Sequence, residues 1–481
     1  MKGYKSVLRA KSRRKSIVFE RFAVNEAGSE AGRSVESGVL IADESENCDL
    51  SGGTLKRGWG VQTYAIPNGS ALADSRSLPK ADAYFHIAKR LSDGSYENKP
   101  AFITDTGVLY VYGEQDFAVE HVFTGRVRCA SLMDGEQNVQ TVFLTENGLF
   151  LYDEAEGVVP LREGKTGITA CVCKSRLFCV AKPFTLLYSA PLNGSNFASS
   201  IDDGGEICLP SDWGEIVALA TMKDSVYVFY ERGIARVETA GSAREFSVTK
   251  IGYGGGRIFG DSVGVCAVGG EKAFFLTTDG LYSFDGARAK KICRNLQLSP
   301  LEVGQVCNHA EKDGKYFVCF TDKKGEKRGV IVDAESGLGY RAFAAKGLSG
   351  SRGKVLCSAA GYIYEAVSDG VLPSGAEALF SVEKTDFGTE GVKTLHSVRI
   401  TGAGEAEVSV SNGGRKKTRR ISLDGGEQTV RVGLRGTHFT LALRLKNSAV
   451  IRKVCVDTEM LAGSGLSNGG SVLALGRRRE G

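Results

Sequence analysis

The chain has 481 residues, 42% hydrophobic and 24% charged, which is the balance of a folded globular protein and excludes a disordered chain. Glycine is abundant (62) and proline scarce (9), with no G-X-Y period, so collagen is excluded and short strands joined by tight turns are favoured. The net charge is +5, but fifteen basic residues in three segments carry it, and without them the rest stands at −10.

The first segment is the N-terminus, with Lys2, Lys5, Arg9, Lys11, Arg13, Arg14 and Lys15 and no acidic residue before Glu20. It is charged like a signal peptide but lacks the apolar stretch; being acid-free, it has a feature of organellar transit peptides. No run of 18 apolar residues occurs anywhere, so no transmembrane helix is expected. The other two segments are Arg415, Lys416, Lys417, Arg419 and Arg420, placed at a hairpin tip, and Arg477, Arg478 and Arg479 at the C-terminus. All three are expected to be solvated and to meet acidic neighbours, protein or nucleic acid. No interleaved aromatics mark a base-stacking surface.

From about residue 75 to 372 the pattern is a repeat. TDTGVLYVYGE starts at Thr104, TENGLFLYDE at Thr145 and TTDGLYSFDG at Thr277. Each reads as strand, turn, strand, with Asp-Gly or Asn-Gly supplying a turn of positive φ. Weaker copies follow at Tyr230, Lys327 and Ala359, and a copy without the glycine at Arg176. The anchoring turn glycines are Gly107, Gly148, Gly233, Gly280, Gly329 and Gly361. A repeat of about 40–50 residues in a chain without helical periodicity means one four-stranded blade per repeat. The fold class is therefore all-β: a six- or seven-bladed β-propeller over 75–372. It follows an N-terminal basic arm and propeller-closing segment over 1–74. Neither Trp59 nor Trp213 sits in a WD dipeptide at the turn, and no S-x-D-x-G-x-x-W box occurs, which argues against WD40 repeats and sialidases.

Strand-like alternation continues after Pro373, at Val408 and Val410, Ile421 and Leu423, Val430 and Val432, and Phe439 to Leu445. Short strands every 8–14 residues predict a β-sandwich over 373–461, followed by a Gly/Ser- and Arg-rich tail over 462–481.

The chemistry-bearing residues do not converge. Five histidines lie in unrelated segments, and His438 is expected to pack or hydrogen-bond in a strand. No G-x-S-x-G, H-E-x-x-H or P-loop occurs, and GYGGGRIFG at Gly252 does not match a Walker pattern. The twelve cysteines are scattered without a C-x-x-C and read as reduced, buried, small side chains, with Cys171 and Cys173 on one face of a strand. No catalytic, cofactor-binding or metal site is predicted, so the expectation is a non-enzyme without cofactors.

Three stretches in order, Ser45 to Gly60, Ile251 to Gly286 and Thr385 to Ile400, resemble the tail nozzle (tail hub, or DNA-stabilisation) proteins of short-tailed bacteriophages. The resemblance implies a structural virion protein made in the host cytoplasm. It implies a homo-oligomeric ring, a hexamer, below the portal and adaptor. Its partners would be those proteins, other tail proteins and double-stranded DNA passing without sequence-specific contact. An acidic body suits such a conduit, because neutralising many phosphates would hold the DNA. The alternatives are a cellular propeller scaffold for protein–protein contacts and a carbohydrate-active propeller enzyme.

Overall fold

A computed structural model describes residues 13–460, apart from 25–34, 37, 65–80, 114–116, 154, 165, 182–183, 199–203, 240–244, 269, 294–295, 297, 299–304, 323, 352, 360–361 and 374. The chain divides into two compact units, Gly58–Ala376, and Met1–Arg57 with Glu377–Gly481. The predicted 1–74 segment is thus shared between them. No helix among the described residues is long and apolar enough to cross a membrane.

The unit Gly58–Ala376 is the propeller. Six four-stranded antiparallel sheets stand alone, and the four strands from Gln305–Lys312 to Gly339–Ala342 make a seventh. In chain order blades A to F span residues 81–122, 128–163, 166–208, 216–251, 264–292 and 305–342. Blade G takes three strands from 346–367 and its fourth, Gly60–Thr63, from far upstream, paired antiparallel with Tyr362–Val367. That upstream strand closes the ring.

Apolar clusters lie between successive blades all the way round. Phe85 and Phe143 join A to B, Leu144 and Cys179 join B to C, and Phe178 and Val228 join C to D. Phe229 and Phe275 join D to E, Phe274 and Tyr316 join E to F, Phe317 and Val355 join F to G, and Leu356 and Phe102 join G to A. An inner blade strand can therefore be covered on both faces, whereas outer strands such as Phe117–Val122 are largely exposed. Ser225–Tyr230 alternates in sequence, yet all six of its residues are buried. Eleven of the twelve cysteines are shown as free thiols, and most of these fill this core, although Cys208 is exposed.

The repeated Thr and Gly have separable roles. Thr104 and Thr277 end the second strand of their blades and Thr145 directly follows it; all three are buried and bond within the turn through their hydroxyls. Thr145 Oγ1 and Thr277 Oγ1 donate to the carbonyls of Gly148 and Gly280 at 3.0 and 2.8 Å. Only Gly107 (φ 85°) and Gly280 (φ 139°) of the described anchor glycines have positive φ. Gly148, Gly233 and Gly329 do not, which corrects the turn reading. They are required by close approach, because a Cβ would strike Arg162 O, the Trp213 ring and Phe343 O respectively. Gly361 lies outside the described residues.

An aspartate closes the other end of the third strand. Asp333 Oδ1 accepts from Ser336 N–H and Oγ–H, both at 2.7 Å, and Oδ2 accepts from Lys315 Nζ at 2.8 Å. Burial pushes this carboxyl up, but the Lys315 and Ser336 hydrogen bonds outweigh it and hold it at about 2. Its unfolded value is about 3.9, so the stabilisation is complete above that pH and is lost as the pH falls towards 2. Asp333→Asn is expected to cost about 1–2 kcal/mol at pH 7. The difference between parent and variant melts should shrink by pH 3 and vanish near pH 2.

The second unit is dominated by three long strands, Lys393–Ser411, Lys416–Gly436 and Phe439–Met460. Phe439–Met460 also pairs with Ala378–Thr385 through its first half and with Arg13–Phe19 through its second. All of these strands belong to one hydrogen-bonded sheet. Its register shifts where Gly402 lies against Val450 O and Gly404 takes φ 85° beside Ala449. Salt bridges cross both halves: Arg420–Glu407–Arg444–Glu377 in one, and Glu427–Arg399–Asp457 in the other.

Candidate functional site

Two places gather charge. The first holds the sequence-predicted basic residues of the second unit. Arg415, Lys416, Lys417, Arg419 and Arg420 are all exposed, but they do not sit at a hairpin tip alone. Arg415 is in the turn after Asn412, and the rest open the strand Lys416–Gly436. Among the described residues this strand pairs on one side only, with Lys393–Ser411, and so ends its sheet. Lysines on such an edge discourage indiscriminate strand pairing while leaving a charged surface. Arg420 reaches Glu407 at 3.6 Å; the side chains of Arg415, Lys416, Lys417 and Arg419 have no acidic partner among the described residues.

The N-terminal basic residues divide. Arg13, Arg14 and Lys15 belong to the strand Arg13–Phe19, opposite Met460, Glu459 and Thr458, so this part of the predicted arm is structured. Lys2, Lys5, Arg9, Lys11 and Arg477 to Arg479 lie outside the described residues. His438 is exposed rather than packed, and it meets the other half of the expectation with a hydrogen bond between Nδ1 and Thr437 Oγ1 at 3.1 Å.

The second place is the mouth of the propeller axis, which sequence reasoning missed. The innermost strands of blades A, B, C, D, F and G and the segment just before that of blade E line a cavity of about 550 Å³ there. Arg128 donates to Asp82 Oδ2 at 2.9 Å and to Asn308 Oδ1 at 2.9 Å, and lies 3.5 Å from Asp261 Oδ1. Arg126 reaches Asp261 Oδ2 at 2.5 Å and Asp82 Oδ2 at 3.6 Å. Burial alone would lower the Arg126 guanidinium, but the two aspartates hold it above its ordinary range. These residues come from blades A, B and F and the short 3-10 turn Gly260–Ser262 before blade E. The ion pairs tie opposite sides of the ring across its axis.

Beneath them His309 Nδ1 lies 2.7 Å from Asp261 O. A carbonyl only accepts, so Nδ1 carries the hydrogen. Nε2 then faces Glu311 Oε1 at 3.4 Å. That oxygen is buried and has no hydrogen-bond partner. Burial pushes the Glu311 carboxyl up, and His309 partly offsets this. Tyr316 stacks on His309 and donates its hydroxyl to Ser262 O; burial raises it well above the usual phenol range. Among the described residues no group of three or more His, Cys, Asp or Glu is arranged to hold a metal ion.

No protein-family model matches this chain, and no curated protein matches it. Among solved structures, BBS1N in complex with ARL6DN aligns over 62% of this chain and 95% of its own, at 13% identity and a TM-score of 0.41. The computationally designed Ika8 protein aligns over 60% and 96%, at 11% identity and a TM-score of 0.33. The WD40 domain of SCAP from fission yeast aligns over 76% and 89%, at 10% identity and a TM-score of 0.30. Likenesses this distant assign no activity or partner to the chain.

Proposed function

We propose that this β-propeller protein is a structural assembly subunit, a tail nozzle protein that forms a ring below a portal and adaptor and through which double-stranded DNA passes. The supporting observation is the end strand Lys416–Gly436: 21 residues, about 70 Å of chain if extended, paired on one side and opening with unpaired cations. An edge of that length is a surface for another protein. A heterologous contact repeated through a closing rotation makes a ring. In this reading the duplex runs between copies, because the propeller's own axis is crossed by the Arg126 and Arg128 ion pairs. The reading assigns no catalytic chemistry to the chain.

Native mass spectrometry of the purified chain, alone and with its adaptor, tests this. A closed ring is expected. Reversing Arg415, Lys416, Lys417 and Arg419 to glutamate should raise the concentration at which the ring dissociates by at least tenfold, with little change in the melting temperature. A monomer under all conditions would favour the cellular scaffold instead.

A further inference from the structure

The axial mouth carries an inference that does not depend on the nozzle reading. Its two arginines are consumed: Arg126 and Arg128 are matched by Asp82 and Asp261. Three carboxyl groups then remain on the cavity wall, from Glu146, Glu215 and Glu311. Glu146 and Glu215 are exposed at the rim, and their carboxyl groups have no ion-pair or hydrogen-bond partner among the described residues. Glu311 is deeper, and its Oε1 is buried without a hydrogen bond. A buried acceptor left unsatisfied is costly unless something supplies a donor. Gly264 makes the space for it, since a Cβ there would collide with Glu311 Oε1 and the His309 ring. The cavity volume of about 550 Å³ lies within the range of small-ligand sites. The three carboxyls come from blade B, the start of blade D and blade F, so an elongated ligand with spaced positive charges matches them better than a single ion.

We propose that the axial mouth of the propeller binds a multiply charged alkylammonium or guanidinium ligand, with Glu146 and Glu215 taking the outer charges and Glu311 the innermost. The chemistry is shared by a free polyamine and by lysine and arginine side chains on a chain end. Binding is coupled to a proton. His309 Nδ1–H is committed to Asp261 O and Nε2 stands 3.4 Å from Glu311 Oε1, so the ring makes no hydrogen bond to that oxygen, and burial favours the protonated carboxyl. The other titratable groups facing Glu311 are Cys266 and Tyr316, both held neutral by burial. An ammonium group arriving at Glu311 stabilises the carboxylate and so releases the carboxyl proton to solvent.

The test is calorimetric titration of the full chain with spermidine at pH 7.5, in two buffers of different ionisation enthalpy. In a second arm a peptide of residues 1–12 replaces spermidine. One saturable site is expected, with up to one proton released. Glu311→Gln should weaken binding at least tenfold and abolish the proton release. The rim double variant Glu146→Gln/Glu215→Gln, on exposed residues that leave the fold intact, should also weaken binding at least tenfold but retain the release. Saturation by spermidine supports a free polyamine; saturation by the peptide alone, with the same dependence on the variants, supports a chain-borne ligand. The proposal is overturned if neither ligand saturates, or if the rim double variant binds as tightly as the parent.

Discussion

Replacing Trp59 with alanine is expected to lower the stability of the propeller by about 3–5 kcal/mol, the cost of truncating a large buried aromatic. Trp59 is 8% exposed and stands just before the closing strand Gly60–Thr63. Its ring meets Phe317 of blade F edge-on at 5.0 Å, and its backbone N–H donates to Tyr340 Oη at 3.0 Å. The same cluster contains Val61, Val355 and Ala366 of blade G. One side chain thus fastens the upstream strand to two blades at the point where the ring closes. The loss should be local before it is global. Hydrogen exchange should quicken first in Gly60–Thr63 and in its partner Tyr362–Val367, while blades C and D keep their protection. Uniform acceleration across all blades, or an unfolding free energy within about 0.5 kcal/mol of the parent, would contradict the role given to Trp59.

The blades were legible because each carries its instructions locally. A threonine that caps a turn, a glycine beside it and an alternating run that follows are all within about ten residues, as at Thr145 to Asp153 and Thr277 to Phe284. The closing strand was harder to read, since Gly60–Thr63 pairs with residues some three hundred positions away. The second unit was misread as many short strands. Gly402 and Gly404 lie at register shifts that interrupt the regular pairing of Lys393–Ser411 without ending the strand, and pairing with both neighbours continues on either side. The axial mouth left no trace in spacing. Asp82, Arg126, Arg128, Asp261 and Asn308 are ordinary surface residue types, and only closure of the ring brings them within hydrogen-bonding distance. The one sequence feature that bears on the mouth, Gly264, looks like any other glycine until Glu311 is seen lying over it.

Arg128→Met should destabilise the propeller by about 2–4 kcal/mol, towards the lower end of what breaking a buried ion pair costs, because the side chain keeps 20% exposure. The substitution retains most of the aliphatic volume and removes only the charge and its hydrogen bonds. It leaves Asp82 with Arg126 alone at 3.6 Å and deprives Asn308 Oδ1 of its donor. The double variant Arg128→Met/Asp82→Leu should cost less than the two single changes added together, by about 1–3 kcal/mol, because it removes both halves of the 2.9 Å pair. The tighter Arg126–Asp261 pair at 2.5 Å remains balanced in that double variant. Denaturant unfolding of the four proteins measures the coupling directly. Strict additivity would mean that the arginine acts through packing alone and that the charges across the axis do not hold the blades together. A coupling of the expected size would make the axial lattice a second fastening of the ring, independent of the Trp59 closure, since it ties blades A, B and F to the turn before blade E rather than F to G.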